Sequence, residues 1–484
     1  MNDLNLKWKK ILLIMPNYRM REANRFIQRI YPPIGLMYIA SYLKELNVQV
    51  KIIDAKIENL DNKQLKAQIK EFNPDIVGVS VLVCSSIKIC NDIAKIVKIL
   101  NANTTVVFGG RQPSMMPEKV LELEEVDIVV RGEGEITFRE LIINGSPKNV
   151  KGVSYKVNGT IVHNPERELM KNLNNLRLPA RDLVDKNSYT LLGMKIDTIQ
   201  TSRGCPHKCV FCTTPVATNG LWRPRPVDSI LKELKMISKD RKITDIIILD
   251  DNFTASTRRI ESLCTEIIEC KKRGEMNDFK FYAQIRVDSI LKSPQMIKKM
   301  SEAGFWSVLI GIESVNDETL KNMQKNLTFN EVLKAIRILH LYNISVYGSV
   351  IIGFDFNASE EDIINEIEFM KKIDVDILVL NLLTPYPGTP IYRELDEKGL
   401  IVTKDWTDYT PFKSVYRTPK LSSEKLQELL QYAFKKHPYH GNAYGFVSRI
   451  IKARGFTFVF NPKRIISTIF AVIKANLTLM KFFN

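Results

Sequence analysis

Three thiols fall within eight residues of the stretch "TSRGCPHKCVFCTT" (201–214): Cys205, Cys209 and Cys212, spaced C-x3-C-x2-C. Thiols placed that close hold metal or exchange as disulfides. A structural zinc site takes four protein ligands, and no fourth Cys or His pairs with this triplet at a recognisable spacing. His207 lies inside the loop, which is too short to bring it easily to the same tetrahedron. A redox disulfide needs two thiols, not three. A 4Fe-4S cluster held by three thiolates leaves one iron open to a substrate or cofactor, so that a missing fourth ligand has a use.

The elements around the triplet place it. Apolar, β-branched runs at 196–201, 244–249, 279–284, 307–312, 344–352 and 376–381 read as strands, with helical patterns such as "SILKELKMIS" (229–238), "MIKKMSEAG" (296–304) and "FNEVLKAIRILHLY" (329–342) between them. Six βα units fall short of the eight of a full TIM barrel, so a partial, open (βα)6 barrel is expected. The triplet directly follows the first of these strands, at the carboxyl end where such folds carry their chemistry. "TPYPGTPIY" (384–392), with its Pro and Gly turns, is expected to close the top.

Residues 1–150 alternate in the same way. "KILLIMP" (10–16), "VQVKIIDA" (48–55), "DIVGVSV" (75–81), "TTVVFGG" (104–110) and "VDIVVRG" (126–132) read as strands, with helical patterns at 33–46 and 86–100. The expectation is a doubly wound, Rossmann-like α/β domain whose ligand lies at the carboxyl ends of the strands. Those ends carry Pro16-Asn17, Ser80-Val81, Gly109-Gly110 and Gly132-Glu133-Gly134, small groups that let a large ligand approach the backbone. Each glycine singly is explained by a tight turn; the set points to a site. Residues 151–190 read as a hairpin turning at Asn158-Gly159 followed by a linker, with His163 in a structural role.

Bulk properties bound the class. The chain has 484 residues, 45% apolar and 26% charged, enough for two or three globular domains. No signal peptide and no apolar run of 18 residues is visible, so the cytoplasm is the expected location. Cys84, Cys90, Cys264 and Cys270 lie in apolar contexts and read as small buried hydrophobes rather than a disulfide framework. The net charge is +16, and nine cations (Lys435, Lys436, Arg449, Lys452, Arg454, Lys463, Arg464, Lys474 and Lys481) follow the last acid, Glu428.

The triplet, with Phe211 before its last Cys, resembles the radical SAM superfamily over about residues 191–410. The resemblance implies that the open iron binds the amino and carboxylate groups of S-adenosylmethionine (SAM), whose reductive cleavage gives a 5′-deoxyadenosyl radical. It also implies cofactor contacts at Asp250, Asp251, Asn252 and Phe253 in "LDDNF", at Gln284 ending the third strand, at Glu313 in "GIES" near the nucleoside, and at Gly348 and Gly353 in "GSVIIGF" against the adenine. Asp250 stands where the family most often has glycine.

"YPPIGLMYIASYLK" (31–44), "VFGGRQPSMMPEKVL" (107–121) and "DIVVRGEGEITFREL" (127–141) resemble the cobalamin-binding domain that precedes many radical SAM cores. The resemblance implies a corrin over Ser80, Val81 and Leu82, a nucleotide tail near Gly109 and Gly110, and further contacts at Gly132 and Glu133. Many such domains supply a cobalt-ligating His; this chain has none before His163. A methylthiotransferase is disfavoured, because that family needs three further cluster cysteines upstream and only Cys84 and Cys90 precede Cys205.

The family reading is a cobalamin-dependent C-methyltransferase acting on a hydrophobic, lipid-like or tetrapyrrole small molecule, with a reductant such as ferredoxin or flavodoxin. The alternatives are an oxidative cyclase resembling the anaerobic magnesium-protoporphyrin ester cyclase, and a non-catalytic cluster or cobalamin sensor. The basic region 411–484 is expected to be mostly helical. Its segment 446–483, cationic and apolar, reads either as an element at an anionic membrane surface or as a helical cap on the barrel; a nucleic-acid patch is disfavoured because Phe and Ile outnumber hydrogen-bonding side chains there.

Overall fold

The computed structural model describes residues 6–18, 31–191, 194–437 and 443–454. The β-branched runs of the first domain pair as a seven-stranded sheet: β1 (Lys10–Met15), β2 (Gln49–Asp54), β3 (Ile76–Ser80), β4 (Thr105–Gly109), β5 (Ile128–Val130), β6 (Val153–Val157) and β7 (Thr160–His163). Their order is β2-β1-β3-β4-β5-β6-β7, parallel through β5 and antiparallel beyond. A parallel sheet is covered on both faces, which is why its strands are almost continuously apolar. One face buries Leu13, Met37, Val107 and Phe138; the other buries Leu12, Val79, Ile93 and Phe108. The expected hairpin forms, with Asn158 and Gly159 at positive φ in its turn, but it extends this sheet rather than linking two domains. The hairpin therefore belongs to the first sheet.

The second sheet has the order β16-β15-β14-β13-β12-β9-β8. Antiparallel β8 (Thr190–Leu191) edges six parallel strands: β9 (Met194–Ile199), β12 (Ile243–Ile248), β13 (Lys280–Ile285), β14 (Phe305–Glu313), β15 (Ser345–Ile352) and β16 (Ile377–Leu382). β9 and β16 do not pair with each other, so the barrel is partial and open, as expected. Along β13 and β16, buried positions pack on the helices and alternate with half-buried or exposed positions on the other face. A short ladder of β10 (Ser202–Arg203) with β11 (Arg223–Pro224) closes the base of the cysteine loop. The four scattered cysteines are buried, as their apolar contexts suggest.

Of the segment 446–483, residues up to 454 are described, and they pack on the barrel. Helix Ala443–Arg454 lies across the amino ends of the barrel strands. Phe446 and Ile450 pack on Trp306. Arg449 Nε donates to Asp376 Oδ1 at 3.0 Å, and the Arg454 guanidinium pairs with Asp245. Lys436 pairs with Glu368 at 2.9 Å, and Lys452 donates to Asn343 Oδ1 at 3.1 Å. Lys436, Arg449 and Arg454 find acids across the fold rather than near them in the chain, and residues 446–454 form the barrel's floor. Residues 455–484 lie outside the described residues. No described helix is long and apolar enough to cross a membrane.

Candidate functional site

The loop that carries the cysteines leaves β9 through Gly204, whose φ of +87° belongs to glycine, and a Cβ there would lie 2.0 Å from the Leu221 carbonyl oxygen. Cys212 N–H donates to Cys209 O at 3.1 Å, a tight turn between two of the thiols. No disulfide joins the three cysteines; Cys209 is buried, and Cys205 and Cys212 are half-buried. Burial pushes the pKa of Cys205 and Cys212 up, so a thiolate form there calls for a cation such as cluster iron. N–H donors approach the sulfurs: Asn252 Nδ2 lies 3.8 Å from Cys205 Sγ, and Arg286 Nη1 lies 3.8 Å from Cys209 Sγ. Three thiols with N–H donors beside them fit a thiolate-held cluster. No three His, Cys, Asp or Glu side chains among the described residues are arranged to hold a single metal ion.

Phe211 meets Phe354 edge-on at 6.4 Å, just past the end of β15, and Ile391 N–H donates to Val210 O at 3.2 Å. The Pro- and Gly-rich segment thus meets the loop from above. A cavity of about 550 Å³ opens beside it, lined by Pro206, His207, Asn252, Thr254, Asp288 and Lys292 among others. Asn252 is 1% exposed, and its Oδ1 has no hydrogen-bond partner. A buried acceptor left open beside a cavity is what a ligand's N–H or O–H would satisfy.

The remaining residues expected around SAM divide. Gln284 is exposed near the carboxyl end of β13, and its carbonyl accepts from Phe253 N–H at 3.1 Å. Glu313 ends β14 at a φ of +67°, costly for a side chain of this kind, and its Oε1 accepts from the buried Lys325 Nζ at 2.8 Å. Gly311 makes the room, since a Cβ there would lie 2.1 Å from Glu313 Oε1.

Asp250, Phe253, Gly348 and Gly353 have partners within the protein. The Asp250 carboxylate is buried and accepts from Thr201 N–H (2.6 Å), Thr201 Oγ1 (2.5 Å) and Ser202 Oγ (2.6 Å), so it braces the approach to the cysteine loop. Phe253 stacks on Phe305 at 5.3 Å in the core. A Cβ on Gly348 would strike Ile312 (2.5 Å) and Val375 (2.9 Å). A Cβ on Gly353 would strike the Tyr416 hydroxyl at 2.6 Å. Both glycines serve packing on the helix side of the sheet.

In the first domain, Leu82 and Val83 follow β3 and are each 38% exposed, an apolar pair left uncovered at the sheet's carboxyl edge. Ser80 and Gly109 are half-buried beside the fully buried Val81. Gly132, at a φ of +72°, has open space where a Cβ would be. Gln112 is buried, and its Nε2 has no partner. An apolar shelf, bare backbone and an unmet amide fit a corrin with its amide-bearing rim. Gly110 and Glu133 also make contacts within the protein. A Cβ on Gly110 would lie 2.4 Å from the Val81 carbonyl oxygen, so this glycine serves a close approach within the domain. The Glu133 carboxylate holds Arg203 Nη1 (3.1 Å), Arg223 Nη1 (2.9 Å) and Met170 N–H (2.8 Å). Burial works to raise the Glu133 pKa, and the two guanidiniums outweigh it and hold the carboxyl below its usual value.

Sequence reasoning named Asp251 and Glu133 but missed the arginines that join the two sheets through them. Arg111, directly after Gly110, donates from Nη1 to Thr213 Oγ1 (3.1 Å) and Thr214 Oγ1 (2.9 Å), and from Nη2 to Asp251 Oδ1 (3.0 Å). Arg203 also pairs with Glu135. The carboxyl edge of the first sheet therefore meets the carboxyl end of the barrel at the cysteine loop.

Two domain families match this chain: the B12 binding domain over residues 26–142 and the Radical SAM superfamily over residues 199–393. The chain is 33% identical over 434 residues to an uncharacterized methyltransferase of Pyrococcus horikoshii, covering 89% of this chain and 92% of the relative. It is 23% identical over 428 residues to the anaerobic magnesium-protoporphyrin IX monomethyl ester cyclase of Cereibacter sphaeroides, covering 86% and 68%. In fold it is similar to the radical SAM methyltransferase TsrM of Kitasatospora setae, solved with tryptophan and a SAM analogue, with a TM-score of 0.73, 17% identity and coverage of 98% and 99%. The chain belongs to the cobalamin-dependent radical SAM methyltransferase family. It is an enzyme, and its cofactors are a 4Fe-4S cluster, SAM and cobalamin.

Proposed function

We propose that this enzyme transfers a methyl group from SAM, by way of cobalamin, to an unreactive carbon of a large hydrophobic small molecule. The observation that carries the reading is the meeting of the two carboxyl edges through Arg111, Asp251, Arg203 and Glu133, which brings a shelf suited to a corrin and a loop suited to a cluster to one site. When bound, the cofactors supply the one-electron cleavage of SAM and the transferable methyl group; the protein supplies placement.

Cys205, Cys209 and Cys212 would hold the cluster. Asn252 offers its unpartnered Oδ1, and Glu313, held by Lys325, offers a carboxylate at the end of β14. Leu82 and Val83 would lie against the corrin. No histidine of the first domain stands at this edge: His163 lies on the antiparallel hairpin, where its Nδ1 is 2.8 Å from Ser154 Oγ. A reductant of the ferredoxin or flavodoxin kind would deliver the electron. A large ring substrate accords with the magnesium-protoporphyrin cyclase among the relatives.

The test is anaerobic incubation of the reconstituted enzyme with methyl-labelled SAM, reductant and cobalamin, followed by mass spectrometry of lipid and porphyrin extracts. A product heavier by one labelled methyl group is expected. Oxidation of a porphyrin without label would establish the cyclase reading instead, which the same relative favours. Loaded enzyme that cleaves SAM but transfers no label to any carbon would overturn the proposal.

A further inference from the structure

The cysteine loop is gripped at both ends, and both grips come from the first domain. At its entry, Arg203 is one residue before Gly204 and is held by Glu133 and Glu135, which follow β5. At its exit, Thr213 and Thr214 follow Cys212 and receive Arg111, which follows β4. Asp251 ties the two ends together. Its Oδ1 accepts from Arg111 Nη2 (3.0 Å) and Thr214 Oγ1 (2.9 Å), and its Oδ2 accepts from Gly204 N–H at 3.3 Å. One carboxylate thus bonds the residue before the first cysteine, a residue after the last, and the residue next to the Gly109-Gly110 turn.

A loop could be fixed within its own domain, and Asp250 shows the simpler way: all three of its partners' atoms belong to Thr201 and Ser202. The use of Arg111 instead ties the loop to the turn beside the proposed corrin shelf. Its planar guanidinium fixes two directions at once, one to the threonines and one to the carboxylate, which a lysine ammonium reproduces only in part. Arg111 and Asp251 are 38% and 24% exposed in their side chains, so this pair does little for overall stability.

We infer that Arg111 and Asp251 are positioning residues that set the distance and angle between the cluster loop and the corrin shelf. Resting on the proposed placement of both cofactors, this assigns the pair the register of the site rather than the binding of either cofactor. A fixed register matters because a misplacement of about 1 Å between reacting groups can cost about a hundredfold in rate.

The test is pulsed EPR on full-length enzyme loaded with the cluster and with cob(II)alamin and reduced with dithionite, which reads the dipolar interaction between the two paramagnets. Wild type should give one narrow distance distribution. Arg111→Ala and Asp251→Asn should each keep iron and corrinoid content, and the distribution should shift and broaden. Arg111→Lys should recover part of the width, and combining Arg111→Ala with Asp251→Asn should add little to either alone. Lys398→Ala, which breaks an exposed ion pair with Glu394 remote in function from the site, should change nothing. An unaltered distribution in both single variants, with both cofactors bound, would overturn the inference and leave the proposed function standing. Loss of the cluster from Arg111→Lys as well as Arg111→Ala would also overturn it, since the pair would then build the loop rather than set its register. Absence of corrinoid from the wild type would sink the underlying placement itself.

Discussion

The two ends of the barrel use the same chemistry for different ends. At the carboxyl end, arginine–carboxylate pairs (Arg111–Asp251, Arg203–Glu133, Arg203–Glu135) flank the loop of three cysteines, near an unpartnered Asn252 oxygen and a Glu313 held at positive φ. At the amino end, Arg449–Asp376 and Arg454–Asp245 press Phe446 and Ile450 onto Trp306. The upper pairs bridge two domains; the lower pairs hold one helix down on apolar side chains. Buried ion pairs are weak evidence for stability by themselves. What they sit beside tells the two ends apart: three cysteines and a cavity above, packed rings below.

The sharpest way to break this comparison is at the thiols. Replacing Cys205, Cys209 and Cys212 together with Ala should abolish the iron chromophore and all 5′-deoxyadenosine formation while the fold persists, since the loop is tied down by Asp250 and Asp251 as well. Iron analysis and thermal unfolding of the same sample check both halves. A triple variant that retains full iron would refute the assignment.

The floor should answer in the opposite way. Phe446→Ala removes a buried ring and should cost about 3 kcal/mol of stability. Arg449→Ala leaves Asp376 buried without its guanidinium partner and should cost about 3 kcal/mol. Denaturant titration reads both, and folded protein of either variant should keep wild-type iron content. A floor variant that loses iron while remaining folded would mean the two ends are not separable.

A pH effect is the smallest expected. Glu366 is half-buried and accepts from Ser314 Oγ, directly after Glu313. Burial raises its pKa above the usual carboxylate value. An acid whose pKa is raised by folding destabilises the fold once the pH exceeds its ordinary range, and the penalty disappears as the pH falls below that range. Glu366→Gln should therefore be slightly more stable than wild type at neutral pH, and the gain should vanish in acid. Equal stability of the two proteins across the range would show that the carboxyl is not penalised by burial.

Much of this was legible in the sequence, for physical reasons that particular residues show. The strands of both sheets repeat every two residues or run continuously apolar, and the cysteine triplet is local, so periodicity and spacing sufficed. Side-chain direction was not legible. Asp250 and Glu133 sit at strand ends, where a residue that binds a ligand and one that braces a loop look the same. Gly348 and Gly353 could as well have faced a cofactor as Ile312 and Tyr416. Arg111 had no signal, because its partners lie over 100 residues away. The partners of the tail's described cations were not legible for the same reason: Arg454 meets Asp245 across 209 residues.

The most direct test of the central claim, that the two carboxyl edges share one site, is an anaerobic crystal structure of the enzyme reconstituted with cluster, SAM and cobalamin. The account predicts a cluster on Cys205, Cys209 and Cys212, a corrin against Ser80, Val81, Leu82 and Val83 with no histidine on cobalt, and both facing one cavity bridged by Arg111 and Asp251. A corrin bound elsewhere, or a cluster and corrin facing separate spaces, would contradict it.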